Sequence, residues 1–239
     1  MLEPAVEALS RDELRVLQEG LLATQIERCA RSSALYRAKL ESVGAEPGDV
    51  RTLDDLARLP VVTKEELRED QRLRPPFGTF AVGDPSVFRE VHPSTGTTGP
   101  PVNTIWSAAD VETITAVTMQ TLWQFGVRPG DVIQNAFAYG LWVAGISCHY
   151  AGSRLGCLVV PTGTATSTER QVDFLQALGS TVLLATPSYA LRIAEGLHER
   201  GIEAAALELR LGCFGGEPGA EYPSTRAKLE AGLGIDAFD

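Results

Sequence analysis

The stretch RPGDVIQNAFAYGLWVAGISCHYAGSRLGCLVVPTG, residues 128–163, decides the fold. An apolar run, a helical pattern and a second apolar run follow one another, which predicts a strand, a helix and a strand. The same alternation continues along the chain. The predicted strands are residues 132–137, 158–161, 181–185 and 209–214, and the predicted helices are about residues 141–155, 169–178, 188–200 and 223–231. Alternating units of this length predict an α/β fold with a mostly parallel sheet flanked by helices.

The loops that leave the carboxyl ends of such strands meet at one edge of the sheet, and ligands bind there. In this chain those loops are rich in glycine, proline and hydroxyl side chains. They are residues 138–140, 162–164, 186–188 and 215–218. Because small residues let a ligand approach the backbone closely, we expect a binding site at this edge.

A helical leader precedes the alternating region. Ser10 and Glu13 form a capping-box pattern ahead of leucines at helical spacing, which predicts one long helix that ends at Gly44. The capping pattern recurs at Thr52 and Thr63, so two short helices should follow.

Two β-prone segments, residues 87–91 and 102–106, flank a loop of small residues. We therefore predict two domains. Residues 1–91 are the helical leader with an incoming strand, and residues 92–239 are an α/β core.

The loop itself reads HPSTGTTGPP, residues 92–101. Its backbone N–H groups and hydroxyls can all point at one anion, which is how proteins hold a polyphosphate. It is not a Walker A loop, because its glycines are too close together and no Gly-Lys-Ser/Thr follows. A surface turn can have the same composition, so the loop alone leaves both interpretations open.

Composition narrows the class of partner. The chain has 21 Lys and Arg against 31 Asp and Glu, a net charge of −10, which argues against nucleic acid or an anionic membrane. An acidic N-terminus does not suggest a signal peptide, and four cysteines without regular spacing suit a cytoplasmic enzyme. Cys148 and His149 are adjacent, but no third ligand has suitable spacing, so packing is favoured over a metal site or a nucleophile.

The loop resembles the Ser-Ser/Thr-Gly-Thr-Thr-Gly-x-Pro signature of adenylate-forming enzymes, the AMP-dependent acyl-CoA synthetase superfamily. Other segments resemble the phenylacetate-CoA ligase family in the order in which that family has them. They include TLDDLARLPVVTKEELRED, TERQVDFLQALGSTVLLATPSYAL, CFGGEPG and the stretch at residues 128–163. The resemblance implies ATP-dependent activation of a small aromatic carboxylic acid to an acyl adenylate, and then transfer to CoA. It implies ATP, Mg²⁺ and CoA as cofactors.

The resemblance also assigns residues to roles. The implied phosphate-binding set is Ser94, Thr95, Gly96, Thr97, Thr98 and Gly99. The implied adenine-binding set is Gly215, Gly216, Glu217 and Pro218, with Asp239 at its border. The implied aryl-acid pocket is formed by Phe137, Tyr139, Gly140 and Trp142. Pro100 stands where family members often have a lysine, so a charge that would meet the phosphates is missing from the loop.

Each assignment has a structural alternative. A Gly-Gly-Glu-Pro segment also occurs as an ordinary strand-to-helix loop, and Phe137 and Trp142 could equally be core residues. The family has Tyr and Phe where this chain has Phe137 and Trp142, so we expect a drier and smaller pocket than one for phenylacetate. His149 and Tyr150 match a family His-Tyr pair, for which we expect packing near the site.

The family comparison further implies a continuation after Asp239 with a metal-binding Glu, a C-terminal lid domain and a catalytic Lys. No catalytic or metal-binding residue is therefore assigned within this chain, and we expect the chain alone to be an inactive N-terminal fragment. Two alternatives stay open: a non-catalytic nucleotide-binding or assembly module, and adenylation with transfer to an amine or a carrier protein. A homodimer is also open.

Overall fold

The computed structural model describes residues 2–94 and 99–239, and the chain divides into two compact units. One unit is residues 3–110, and the other is residues 111–239 together with the N-terminal end. This division by compactness falls at residue 110. The functional division at residue 91 stays a prediction.

Three helices of the unit 3–110 begin at capping residues that the sequence predicts. The helices of this unit are α1 (Pro4–Glu7), α2 (Arg11–Ser32), α3 (Ala34–Ser42), α4 (Leu53–Leu56) and α5 (Lys64–Leu73). Capping boxes start α2 at Ser10, α4 at Thr52 and α5 at Thr63. In each box the hydroxyl and an acidic side chain satisfy N–H groups that the first helical turn leaves without partners. The two short helices predicted after Thr52 and Thr63 are confirmed.

The prediction of one long helix from Ser10 to Gly44 is wrong, because the helix breaks at Ser33. Ser33 is fully buried and extended, with φ −125° and ψ 122°. Its hydroxyl accepts a hydrogen bond from the N–H of Tyr36 at 3.3 Å, so it caps a second helix. The Arg37 side chain donates to the carbonyl of Ala30. This bond satisfies one of the carbonyl groups that the last turn of α2 leaves without a helical partner. The helix breaks because the Ser33 hydroxyl binds a nearby backbone N–H and so competes with the hydrogen bonds of a continuous helix.

The two predicted β segments form an antiparallel hairpin. They are β1 (Phe88–Pro93) and β2 (Asn103–Ser107). The connection between them carries the predicted phosphate loop, of which Thr95–Thr98 lie outside the described residues. The N–H of Ser94 donates to the carbonyl of Val102 at 2.9 Å, and the Ser94 hydroxyl accepts from the Val102 N–H at 3.0 Å. These two bonds close the base of the loop.

The second unit has a five-stranded parallel sheet between two layers of helices, which confirms the predicted fold class. Its strands are β3 (Val132–Asn135), β4 (Leu158–Val160), β5 (Val182–Ala185), β6 (Leu211–Phe214) and β7 (Asp236–Phe238). Its helices are α6 (Ala108–Gln124, which starts before residue 111), α7 (Val143–Arg154), α8 (Thr168–Ala177), α9 (Pro187–Glu199) and α10 (Pro223–Leu233).

The core lies on both faces of this sheet, because successive residues of a strand point to opposite faces. In β5, Leu183 and Ala185 pack in one cluster with apolar side chains of α8, α9 and α10. Val182 and Leu184 pack in another with side chains of α6 and α7. A strand covered on both faces reads as a continuous apolar run, which is why the sequence pattern was clear here.

The strand order is β4-β3-β5-β6-β7, so the chain changes direction in the sheet between β3 and β5. The loops that leave these two neighbouring strands diverge, and such a switch point is where open α/β sheets bind ligands. Across residues 2–94 and 99–239, no helix combines the length and the hydrophobicity that crossing a bilayer requires.

Candidate functional site

The loop that leaves β3 places two aromatic rings at the switch point. Phe137 is buried with 6% of its surface exposed and packs in the core cluster of α6 and α7. Trp142 has 38% of its surface exposed, and its ring meets Phe137 edge to face at 5.6 Å between centroids. Phe137 therefore supports the site from the core, and Trp142 presents the accessible aromatic surface.

A polar chain of three residues fixes the same loop. The Asn135 side-chain amide donates to the Tyr139 hydroxyl and to the carbonyl of Gly145, each at 2.8 Å. The Tyr139 oxygen lies 3.2 Å from Nδ1 of His149. Asn135 donates to this oxygen, and the tautomer of His149 sets whether Nδ1 donates to it or accepts from its hydroxyl. Burial raises the pKa of Tyr139 to about 12, so its hydroxyl keeps its proton.

Sequence reasoning missed Asn135, although it belongs to the quoted stretch. The sequence signal was an amide at the carboxyl end of a predicted parallel strand, where ligands bind. The structure shows that Asn135 is fully buried, which is uncommon for an amide without a role. His149 was expected only to pack near the site, and the structure gives it the contact with Tyr139.

Three glycines shape the loop around Tyr139. Gly140 has φ 119°, a conformation that side chains rarely adopt, and the space around its Cα is open. A Cβ on Gly145 would collide with the carbonyl oxygen of Ala138. One on Gly163 would come within 3.4 Å of the Tyr139 ring. Close packing of the start of α7 under the loop therefore depends on Gly145, which the sequence did not single out.

The segment 215–218 leaves β6 and meets the aromatic loop at Gly216. Gly216 has φ 87°, and a Cβ placed on it would lie 2.7 Å from Cη2 of Trp142. The indole thus lies directly on the backbone of Gly216. Gly215 has open space where its Cβ would be. The two glycines together leave a length of backbone without side chains next to Trp142.

Glu217 turns its side chain away to a helix start. Its carboxylate accepts a hydrogen bond from the N–H of Ser188 at 2.7 Å, at the beginning of α9. Hydrogen bonds from Ser188 hold the pKa of Glu217 below its usual range. Glu217 therefore ties the loop after β6 to the loop after β5, as an acidic residue does at a helix N-terminus. Pro218 follows it in the exposed part of the loop.

Asp239 lies beside the continuation of that loop. Its carboxylate accepts from the N–H of Glu221 at 3.0 Å. Burial and the neighbouring Glu221 carboxyl raise the pKa of Asp239, and a hydrogen bond from the Gly219 N–H lowers the pKa of Glu221. The structure thus brings Asp239 to the edge of the sheet that carries residues 215–218.

In the unit 3–110, two members of the phosphate-binding set are described. Ser94 closes the base of the loop through Val102. Gly99 has φ 152° and lies under the guanidinium of Arg68, whose Cζ would be 3.3 Å from a Cβ at that position. The other four members, Thr95, Gly96, Thr97 and Thr98, lie outside the described residues.

The Cys148 thiol is mostly buried against the core of α6 and α7. Burial raises its pKa to about 11, so the thiolate that a nucleophile or metal ligand requires is disfavoured. In the part of the chain that the structure describes, no group of three His, Cys, Asp or Glu side chains is arranged for a metal ion.

Solved structures share the fold of the chain. A 2-hydroxyisobutyryl-CoA ligase in an open conformation with 2-HIB-AMP and CoA is 28% identical, with a TM-score of 0.90 over 96% of this chain and 53% of that chain. The same enzyme in the thioesterification state is 30% identical, with a TM-score of 0.91 over 96% and 49%. The fold is that of the adenylate-forming CoA ligases.

Sequence relatives narrow this class. Phenylacetate-coenzyme A ligase of Aromatoleum evansii is 37% identical over 238 residues, 100% of this chain and 52% of that protein. The enzyme of Escherichia coli K12 is 35% identical over 235 residues, 98% of this chain and 52% of that protein. No family model matches the chain. These similarities confirm the resemblance to phenylacetate-CoA ligases, and the chain spans about half the length of these relatives.

Proposed function

We propose that this protein uses ATP to activate an aromatic, phenylacetate-like carboxylic acid and then transfers the acyl group to CoA. The chain spans about half the length of its curated relatives, so the complete reaction is proposed for the protein as a whole. The relatives are phenylacetate-CoA ligases, and the solved neighbours hold an acyl adenylate and CoA. These similarities support acid activation and CoA as the acceptor, rather than an amine or a carrier protein.

The proposed chemistry needs no general acid or base from this chain. A carboxylate is already a nucleophile at neutral pH, and its oxygen attacks the α-phosphorus of ATP while the bond to pyrophosphate breaks. The thiol of CoA then releases its proton to solvent, its sulfur attacks the acyl carbon, and the bond from that carbon to AMP breaks. The protein has to hold the carboxylate in line with the phosphorus and neutralise charge with Mg²⁺ and hydrogen-bond donors. No residue of this chain is assigned to Mg²⁺.

One contact carries the proposal: Trp142 touches both Phe137 and Gly216. It places an accessible aromatic face next to glycine backbone at the switch point of the sheet. A flat aromatic acid gains most from such a face, through buried area and edge-to-face contact. Glycine backbone, in turn, is suited to a planar base.

We assign the acid to the loop after β3 and the nucleotide to two glycine-containing segments. The proposed acid-binding residues are Phe137, Tyr139, Gly140 and Trp142. The proposed adenine-binding residues are Gly215, Gly216, Glu217, Pro218 and Asp239, and the proposed phosphate-binding residues are Ser94 to Gly99. Glu217 would act through its backbone, because its carboxylate already binds the N–H of Ser188.

Calorimetric binding of acids to the 239-residue chain, with and without ATP, tests the proposal. The panel is phenylacetate, benzoate, 2-hydroxyisobutyrate and phenylethylamine, which has the ring without the carboxylate. We expect the two aryl acids to bind more tightly than 2-hydroxyisobutyrate, and Trp142→Ala to remove that preference. Acid-dependent exchange of pyrophosphate into ATP, measured on the protein as a whole, then reports adenylation. Binding of neither ATP nor any acid would overturn the proposal.

A further inference from the structure

Two fully buried glutamines connect the sheet to the loop that leaves β4. The side-chain amide of Gln134, on β3, donates to the side-chain oxygen of Gln171 on α8 at 2.6 Å and to its backbone carbonyl at 3.0 Å. The Gln171 amide in turn donates to the carbonyl of Gly163 at 2.8 Å. Both glutamines are 0% exposed. Because burying an amide is costly unless it is hydrogen-bonded, this pair depends on its contact with the loop backbone.

The same loop is bound from β3 and from α9 as well. The N–H of Gly163 donates to the carbonyl of Asn135 at 3.0 Å, and the Thr162 hydroxyl donates to that carbonyl at 3.2 Å. The Tyr189 hydroxyl donates to the carbonyl of Thr166 at 2.8 Å. The N–H of Gly163 is therefore held by β3 and its carbonyl by α8, so the position of this one residue is defined from both sides.

Gly163 lies against the ring of Tyr139. It has φ 62°, and a Cβ placed on it would lie 3.4 Å from Cδ2 of Tyr139. Asn135 binds the hydroxyl at the other end of the same side chain. Since successive residues of a strand point to opposite faces, Asn135 acts on Tyr139 directly from one face of the sheet. Gln134 acts from the other face, through Gln171 and Gly163.

We propose that Gln171 is a positioning residue for the acid pocket. Its hydrogen bond to Gly163 holds the glycine backbone against Tyr139 and so sets how much room that ring leaves for the acid. The inference rests on the proposed function, which assigns Tyr139 to the acid. An apolar side chain of the same length would fill the core equally well, but it has no donor for a buried carbonyl. The amide therefore controls the size of the aryl group that the pocket accepts.

The first variant is Gln171→Met, which keeps the length of the side chain and removes the amide. Calorimetry on the full chain measures the binding of phenylacetate, of 2-naphthylacetate, which has a larger ring system, and of ATP. The preference for phenylacetate over 2-naphthylacetate should fall about fivefold or more, because the freed ring yields to the larger acid. The Kd of ATP should stay within about twofold. Ser180→Ala is the matched control, because this buried hydroxyl donates to Gln134 at 3.2 Å without contacting the loop, and it should leave the preference within about twofold.

A double variant separates positioning from stability. Gln171→Met alone leaves the buried Gln134 amide without one of its partners, so it also destabilises the fold. Gln134→Met/Gln171→Met replaces both partners with apolar groups and should unfold at a higher urea concentration than the single variant. The loop still lacks its donor, so the acid preference should stay as low as in Gln171→Met. The double variant also keeps the test decisive if Gln171→Met does not fold.

Fluorine NMR observes Tyr139 without any acid. With fluorotyrosine at all five tyrosines, the signal that is absent from Tyr139→Phe belongs to Tyr139. We expect this signal to move in both methionine variants, while that of Tyr222, which is 54% exposed, stays in place.

An unmoved Tyr139 signal in the methionine variants would overturn the inference. So would an unchanged acid preference, or a preference that returns with stability in the double variant, which would make the glutamine pair purely structural. If wild type binds neither acid, the proposed function fails, and the Tyr139 signal still decides whether Gln171 positions that ring.

Discussion

The indole of Trp142 lies on the backbone of Gly216 so closely that a side chain does not fit between them. A Cβ at Gly216 would be 2.7 Å from Cη2 and 3.0 Å from Cζ2 of Trp142, and the residue has φ 87°. We therefore expect Gly216→Ala to lower the free energy of unfolding by about 2 kcal/mol, the sum of backbone strain and displaced indole. Urea-induced unfolding followed by circular dichroism measures this change.

Gly215→Ala is the matched control, because its Cβ would meet nothing within 4 Å. Its effect on the free energy of unfolding should stay within about 0.5 kcal/mol. The double variant Gly216→Ala/Trp142→Ala should lose less stability than the two single changes added together, since the clash is removed with the ring. Equal losses of stability for Gly216→Ala and Gly215→Ala would contradict the contact between Gly216 and Trp142.

The next prediction separates Phe137 from Trp142, which touch but differ in burial. Phe137 is 6% exposed, so Phe137→Ala should lower the free energy of unfolding by about 3 kcal/mol or more through the cavity it leaves. Trp142 is 38% exposed, so Trp142→Ala should cost less stability while weakening the binding of phenylacetate. Chemical unfolding and calorimetry on the same preparations check both. The assignment fails if Trp142→Ala is the more destabilising change.

Local signals predicted most of the architecture. The capping boxes at Ser10, Thr52 and Thr63 were visible because a hydroxyl and an acidic side chain three residues apart satisfy the same helix end. The sheet was visible because strands covered on both faces are continuous apolar runs. The break at Ser33 was not predictable in this way, since it depends on a buried hydroxyl and on Arg37 binding the carbonyl of Ala30.

The candidate site was predictable only in part. Strand ends located the loops that contain Tyr139 and Gly216, because loops at one edge of a parallel sheet come together whatever their sequence. Phe137 and Trp142 were assigned by the family resemblance. The contact of Arg68 with Gly99 joins residues 31 positions apart by the packing of a helix on a loop. No periodicity or spacing in the sequence encodes such a contact, so only the structure shows it.

Titration of Tyr139 tests the polar chain at the site. Burial raises its pKa from 10.0 to about 12, so the native state holds this proton more tightly than the unfolded state does. The stability that Tyr139 contributes is therefore complete below pH 10 and is lost as pH rises towards 12. The difference in phenolate absorbance between wild type and Tyr139→Phe should have its midpoint near pH 12. A midpoint near 10 would show that the hydroxyl is open to solvent.

An ion pair at the opposite end of the strands sets the behaviour in acid. Asp131 precedes β3 and is 8% exposed, and its carboxylate binds Arg210 at 2.6 Å and the hydroxyl of Thr181 at 2.8 Å. Burial alone would raise the pKa of Asp131, but hydrogen bonds from Arg210, the Arg128 N–H and Thr181 outweigh it and hold the pKa below 3.8. Asp131 thereby links the chain before β3 to residues that precede β5 and β6.

Asp131→Asn should lower the free energy of unfolding at pH 7 by about 2 kcal/mol, because it removes the charge that these donors share. The folded-state pKa is depressed, so the contribution is present above the ordinary carboxyl pKa and disappears as pH falls from 3.8 through the lower folded value. Wild type and variant should then unfold at the same urea concentration in strong acid. Asp173→Asn, which breaks an exposed pair with Arg200, should change stability by less than about 0.5 kcal/mol at either pH. A stability difference for Asp131→Asn that persists in strong acid would mean that its cause is packing and not charge.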